Sequence, residues 1–191
     1  MGATVSTAAP EAGRPQPPIY PLQIGAHGGW REVRASPADG ACGVHGYPCE
    51  HPGVDVAGAA GTWVVAPESG TIVMVGDGNA PPFVGYGPWF AIILGQSGKY
   101  HFLGHLEPGT AGIGPMGTEV VAGQPIGTTS SANHTHWEVR SKMVPDFAAG
   151  EDNFSNNTDP IGWLAMAALG LGTILVVGGA VLLFVLLRRR S

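Results

Sequence analysis

Two histidines one residue apart, His134 and His136, stand in the run Ala132-Asn133-His134-Thr135-His136-Trp137-Glu138-Val139-Arg140, a stretch rich in β-forming residues. In a strand the side chains alternate faces, so the two imidazoles point the same way, with Cα atoms roughly 6.5 Å apart at about 3.3 Å rise per residue. Such a pair supports two chemistries. Both rings can meet one metal, or one can ligate while its neighbour handles a proton of the water that the metal carries. A His-x-His pair alone is a weak signal, and a second cluster supplies the missing ligands: His51-Pro52-Gly53-Val54-Asp55-Val56. Pro52 disfavours helical geometry at His51, and Gly53 with Val54 and Val56 favours a turn running into a strand. Val54 and Val56 then face a core, which turns Asp55 to the opposite, site-facing side. Two histidines and one aspartate make a first shell for zinc with a fourth position left for water, the layout of a catalytic site and not of a structural one.

Taken together, His51-x-x-x-Asp55 and His134-x-His136 closely resemble the lysostaphin-type (LytM-type) zinc metallopeptidases. The likeness extends through Gly53-Val54-Asp55-Val56-Ala57, Gly61-Thr62, Val64-Val65-Ala66 and Gly70-Thr71-Ile72-Val73. Gly85-Tyr86-Gly87, His105-Leu106 and Val121-Ala122-Gly123-Gln124-Pro125-Ile126-Gly127 follow in the family's usual order, so the resemblance covers roughly residues 45 to 145. It implies zinc on His51, Asp55 and His136, with His105 and His134 as the catalytic histidines beside the metal-bound water. Two positions depart from the pattern. The tyrosine usual two places before the mid-chain histidine is Leu103, and the glycine-proline usual before His-x-His is Ala132-Asn133. These positions shape a groove and bear on substrate preference. The spacing of the residues alone leaves open which of His134 and His136 binds the metal.

The elements that must carry these groups read as short strands at 62–66, 70–75, 89–94, 100–106 and 119–121, broken by Gly, Pro and Asn. Their even spacing implies a mainly β fold, a compact antiparallel sheet, sandwich or partial barrel. On a continuous strand over 100–106, His101 and His105 share a face, and without the resemblance His101 is almost as good a candidate as His105. Residues 79–87 form a loop that could wall a substrate groove. Residues 22–49 read as an irregular entry layer in which Trp30 packs, while His27 and His45 are bystanders. The expected organisation is a Pro/Ala/Gly-rich arm over 1–21, a peptidase domain over 22–145, a polar linker over 146–160, a transmembrane helix over 161–187 and a basic tail over 188–191.

The tail expectation comes from length and charge. No charged residue occurs between Ile161 and Leu187, and about 20 apolar residues suffice to span a bilayer as a helix. Trp163 sits where an interfacial aromatic anchor is expected, and Arg188, Arg189 and Arg190 would stay on the cytoplasmic side. Before those arginines the chain holds six basic and 14 acidic residues, a formal charge of −8. That excludes nucleic acid as the natural partner, because phosphate binding needs clustered Lys and Arg. Glycine (31) and proline (17) are abundant and charged residues make up only 12%, which suits a turn-rich β domain. Cys42 and Cys49 bracket a short loop before His51 and are expected to form a disulfide in an oxidising compartment. The first thirty residues lack an uninterrupted apolar core behind a basic start, so no signal peptide is expected.

The sequence therefore points to a membrane-anchored, zinc-dependent endopeptidase acting on peptide cross-links of bacterial peptidoglycan. Two rivals belong to other classes: a wall-binding or regulatory module without turnover, and a structural envelope or virion component in which metal only holds the sheet together. Delivery through the C-terminal span or in a virion membrane would bring the domain to the wall.

Overall fold

The computed structural model describes residues 29–34, 49–80, 82–109, 113–143, 156–168, 176–177 and 180–181. In chain order these form β1 (Val33–Arg34), β2 (Cys49–Glu50), β3 (Val54–Ala57), β4 (Trp63–Val65), β5 (Gly70–Gly78), β6 (Gly87–Gly95), β7 (Tyr100–Leu103), β8 (Glu119–Val120), β9 (Pro125–Thr128), β10 (His134–Arg140) and β11 (Asn157–Thr158). Helix α1 (Pro160–Ala168) and the short strands β12 (Val176–Val177) and β13 (Ala180–Val181) follow. The ladders among the described residues are antiparallel, as the spacing of the strand signals predicts. Cys42, and with it the expected disulfide, lies outside the described residues, as do His27, His45, the arm over 1–21 and the terminal arginines.

The main sheet runs β11-β10-β7-β6-β5-β8, with β3 also paired to β10. Trp137 faces Leu103 across one edge of β10 and Val54 across the other, while Val139 faces His101 and Thr158. Strands β3 and β11 therefore lie end to end along one edge of β10, and β7 along the other. Alternation along β10 then divides its residues between two environments. Trp137 and Val139 join Val54, Val56, Ile72, Ala91, Ile93 and Leu103 in the larger core cluster, which the β4–β9 ladder closes with Val64 and Ile126. The register Glu138–Phe102–Ile92 belongs to the other face, where Tyr86, Phe90, Ile92 and Phe102 form a second cluster. Each fully buried aliphatic or aromatic side chain stabilises by roughly 1.5–3 kcal/mol. A one-residue slip of β10 would turn Trp137 and Val139 out of that core, so packing fixes the register that aims the histidines.

One sequence expectation is corrected. The strand predicted over 100–106 ends at Leu103: Gly104 leaves the ladder and His105 takes a left-handed conformation with φ of 58°. His101 and His105 consequently do not share a face. His101 lies in the row Val139–His101–Ile93 on the core side. In the tail, where a transmembrane helix is expected over 161–187, the described residues form α1, which starts at Pro160 and ends at Ala168, and Val176–Val177 paired with Ala180–Val181 as strands; the rest of that run lies outside the described residues. Among the described residues no helix is long and apolar enough to cross a membrane. Asp159 caps α1 through its side chain to the Ile161 amide, with Pro160 in the first turn, where its missing N–H costs nothing. Trp163, expected as an interfacial anchor, is buried at 6% exposure against His101 and Trp137, because the sheet's reverse face offers apolar surface to an aromatic on the facing turn.

Candidate metal centre

Strand β3 and the first half of β10 are cross-strand neighbours, and this pairing assembles the site. His136 stands opposite Asp55 and Thr135 opposite Val56, so the alternation that buries the valines presents Asp55 to the histidines. His51 enters from the segment just before β3. Gly53 makes that approach possible, since a Cβ there would run into the Trp137 carbonyl and the His136 ring. The result is a triangle of atoms: His51 Nε2 to His136 Nδ1 at 2.9 Å, His136 Nδ1 to Asp55 Oδ1 at 3.1 Å, and His51 Nε2 to Asp55 Oδ1 at 3.3 Å. These three residues form the one candidate metal cluster among the described residues.

The outer partners decide what the triangle can hold. His51 Nδ1 lies 3.1 Å from the Gly29 carbonyl, which can only accept, so Nδ1 carries the proton and Nε2 points a lone pair inward. His136 Nε2 donates to Glu138 Oε1 at 2.7 Å, which leaves its Nδ1 lone pair inward as well. Two lone pairs and a carboxylate oxygen thus face one another, an arrangement that requires a cation between them. Zinc bonds of about 2.0–2.1 Å in tetrahedral geometry separate ligand atoms by about 3.3 Å, close to the edges found here. The residues therefore fit zinc. When metal is absent a proton takes its place: burial depresses the His136 pKa, but hydrogen bonds and charge from Asp55 and Glu138 overcome it and raise the value to about 9. Burial likewise opposes ionisation of Asp55, and the two histidines outweigh it, holding the carboxyl well below the usual range.

Glu138 is itself held. Its Oε1 also accepts the Tyr86 hydroxyl at 2.8 Å, and its Oε2 accepts Arg140 Nε at 2.6 Å. Burial raises the Glu138 pKa, but the Arg140 charge and the His136 contact lower it to about 2, so the carboxylate stays ionised and accepting. Such carboxylate–histidine pairs fix the tautomer and ring orientation of a metal ligand. Sequence reasoning missed Glu138, Arg140 and Tyr86. The two-residue period of β10 places Glu138 and Arg140 on the His136 face, which was the available signal.

His134 and His105 stand on the open side. His134 Nδ1 donates to the Ala132 carbonyl at 2.9 Å, which turns Nε2 towards Asp55 Oδ1 at 3.7 Å. The His105 ring packs edge-on to it with centroids 4.5 Å apart, and its centroid lies 6.4 Å from that of His136. A left-handed backbone at a non-glycine residue costs energy and persists where the surroundings impose it. At His105 they do: its amide donates to the Tyr86 carbonyl at 2.6 Å and its carbonyl accepts the Ser130 amide at 2.9 Å. Gly87, at φ of 79°, gives the ring room, since a Cβ there would collide with His105 Nδ1. His51 and His136 are buried, whereas the His134 side chain is 25% exposed, so the site opens to solvent on the His134 side. The five residues named from sequence are brought together, and His101 is not among them. His101 Nδ1 accepts from Trp137 Nε1 at 3.3 Å while Nε2 donates to Glu68 at 3.0 Å, on the far face of the sheet.

Comparison with known proteins agrees with this geometry. The NMR solution structure of lysostaphin is 26% identical with a TM-score of 0.51, covering 82% of this chain and 54% of that one. The catalytic domain of lysostaphin from Staphylococcus simulans is 25% identical with a TM-score of 0.52, covering 74% of this chain and 92% of that one. CbpA from L. salivarius REN shares the fold at 18% identity and a TM-score of 0.52, covering 75% of this chain and 98% of that one. The chain spans about half the length of lysostaphin and nearly all of its catalytic domain. No curated protein matches the chain. Residues 49–146 match the model of peptidase family M23, more than half of the sequence, and they contain all five site residues. The chain therefore belongs to peptidase family M23, a family of zinc-dependent metallopeptidases.

Proposed function

We propose that this chain is a zinc endopeptidase that hydrolyses peptide cross-links of bacterial peptidoglycan. The observation that carries the reading is the convergence of two histidine lone pairs and one carboxylate oxygen on one point, with a further imidazole nitrogen on the open side. His51, Asp55 and His136 would hold zinc, which when bound would supply Lewis-acid chemistry, polarising a scissile carbonyl and lowering the pKa of a water towards ~7. The chain's own residues do the rest. Ala132 accepts the Nδ1 proton of His134, so the basic Nε2 faces the open side and takes the proton of the attacking water. His105, pinned in its left-handed conformation, presents its ring across from His134 and donates to the developing oxyanion or the leaving amine. No His-Glu-x-x-His motif is present, so the histidines carry the acid–base work.

The substrate class rests on the likeness to lysostaphin, which is described as an antimicrobial peptidase. A binding module without turnover is disfavoured because the ligand triangle and both histidines on its open side are intact. A purely structural zinc is disfavoured because three protein ligands converge among the described residues, where closed sites have four. Attachment to a bilayer through residues 161–187, with the catalytic domain on the wall side of a cell or virion membrane, is carried by the uncharged run and the three terminal arginines. A membrane-impermeant label should reach a cysteine placed at Ser191 only after lysis, and labelling of intact cells or particles removes that topology. For the activity, full-length chain is incubated with purified sacculi, with and without chelator, and released fragments are identified by mass spectrometry. Cleaved cross-links that disappear with chelator are expected. Release of glycan fragments without peptide cleavage, or no release at matched zinc loading, sinks the reading.

A further inference from the structure

His51 is completely buried, and part of what buries it lies outside the stretch that matches the family: residues 29–34, ahead of residue 49. This strap runs antiparallel to 49–51. Val33 pairs with Glu50 and Arg34 with Cys49, the His51 amide donates to the Glu32 carbonyl at 2.8 Å, and the Arg31 amide donates to the His51 carbonyl at 2.8 Å. The ladder ends in a tight turn at Arg31, whose φ of 62° is left-handed. That turn folds Gly29 back over the imidazole, so that its carbonyl meets His51 Nδ1 at 3.1 Å. Two side chains brace it. Glu32 Oε2 accepts the Gly29 amide at 3.0 Å, and Arg31 donates to both oxygens of Glu50, at 2.7–3.0 Å. On the other side Asn157 donates to the Pro52 carbonyl, so segments from beyond both ends of the matched stretch fix His51 and its neighbour.

We propose that residues 29–34 are a positioning element of the metal centre, in which the left-handed turn at Arg31 aims the Gly29 carbonyl at His51 Nδ1 and thereby holds the Nε2 lone pair on the zinc position. The inference rests on the reading of His51 as a zinc ligand. It makes Arg31 a positioning residue whose backbone conformation matters more than its charge, because the Arg31–Glu50 pair is solvent-exposed and such pairs contribute little. A carbonyl has no side chain to delete, so the turn is the handle. Glycine and asparagine adopt positive φ readily, β-branched residues resist it, and proline, fixed near −65°, cannot adopt it and lacks the amide that bonds the His51 carbonyl.

The test is the full-length series Arg31→Gly, Arg31→Asn, Arg31→Val and Arg31→Pro. Zinc affinity is measured by competition with a chromophoric chelator, and the His51 ring-nitrogen NMR shifts report whether Nδ1 still donates. Arg31→Gly and Arg31→Asn should bind zinc within about threefold of wild type despite losing the ion pair. Arg31→Val should weaken binding about tenfold and Arg31→Pro by 10–100-fold, the range seen for lost outer partners of metal ligands, each with the Nδ1 signature altered. Circular dichroism checks folding, and if Arg31→Pro does not fold, Arg31→Val decides. Folded Val and Pro variants that bind zinc as wild type does overturn the proposal, as does a glycine variant as weak as proline. Failure of the underlying reading looks different: wild type itself would bind no zinc, or His51→Ala would bind it unchanged.

Discussion

Two buried histidine–carboxylate clusters sit back to back on the same sheet, and they differ in how they are closed. On the core side, His101 accepts from Trp137 with one ring nitrogen and donates to Glu68 with the other, while Ser97 satisfies both oxygens of Glu68 through its amide and hydroxyl. Both ring nitrogens of His101 are engaged, so the cluster has no inward lone pair for a ligand. On the site side, His51 and His136 spend their protons outward, on Gly29 and Glu138, and keep their lone pairs for a shared point. The pKa shifts diverge for the same reason. Burial depresses His101 with Glu68 opposing it incompletely, whereas Asp55 and Glu138 together raise His136 to about 9. Burial of an imidazole beside a carboxylate therefore says little about function, and the direction of the unshared lone pair says much.

The sharpest break of this contrast is ligand removal. His51→Ala, Asp55→Ala and His136→Ala should each drop zinc content from one per chain towards zero and abolish turnover, while His101→Ala keeps zinc and loses stability alone. Zinc stoichiometry by elemental analysis beside a thermal melt separates the two. Retention of zinc by His136→Ala with loss in His134→Ala would exchange the roles of the β10 pair. Next in size are the two open-side histidines. His134→Ala and His105→Ala should retain zinc and lose 10²–10⁴-fold in kcat, the usual cost of a missing general acid or base. Zinc-replete variants with near wild-type turnover on isolated muropeptides would remove them from the chemistry.

Much of this contrast was legible in the sequence, and the parts that were not have physical reasons. The β3 half of the site was readable because Val54 and Val56 bracket Asp55 with period two and Pro52-Gly53 excludes a helix. The equivalence of His101 and His105 was an artefact of extending a strand through Gly104. Local propensity could not show that Tyr86 and Ser130, distant in sequence, clamp His105 into a left-handed conformation. The Gly29 carbonyl left no trace at all, since a backbone acceptor has no residue type. The start of the uncharged run was legible only in part: composition showed its apolar character but could not show that α1 finds an aromatic partner on the sheet. Trp163 packs edge-on to His101 with centroids 4.7 Å apart and belongs to the main core. Trp163→Ala should therefore cost about 3–5 kcal/mol in urea unfolding, as large aromatic truncations in cores do, with zinc content unchanged. An unchanged unfolding midpoint would detach α1 from the domain.

The smallest expected effect is also the most direct reading of the two clusters, through the pH dependence of stability in chelator-treated protein. His136 titrates at about 9 when folded against about 6.5 unfolded, so the folded state binds the extra proton between those values. Its stabilisation is fully present below pH 6.5 and is lost as pH rises through 9, a change of about 3 kcal/mol for a buried group shifted this far. His101 runs the other way. Its folded pKa lies below the unfolded 6.5, so the unfolded chain takes the proton first and stability falls as pH drops below 6.5. Glu68, lowered from 4.5 by His101 and Ser97 against the opposing effect of burial, adds to the acid-side loss at still lower pH. The zinc-free protein should thus be most stable near pH 6.5, with the alkaline arm belonging to the site face and the first stretch of the acid arm, above the carboxylate range, to His101 on the other face; at lower pH Asp55 and Glu138, whose folded pKa values are also lowered, add their own loss from the site side. Zinc takes the place of the His136 proton, so loading should erase the alkaline arm and leave the acid arm standing. Urea midpoints at pH 5.5, 6.5 and 9, with and without zinc, test this directly. His136→Asn should flatten only the alkaline arm and His101→Gln should shrink only the acid arm. If either variant keeps the wild-type profile on its own side, the assignment of that arm to that face is wrong.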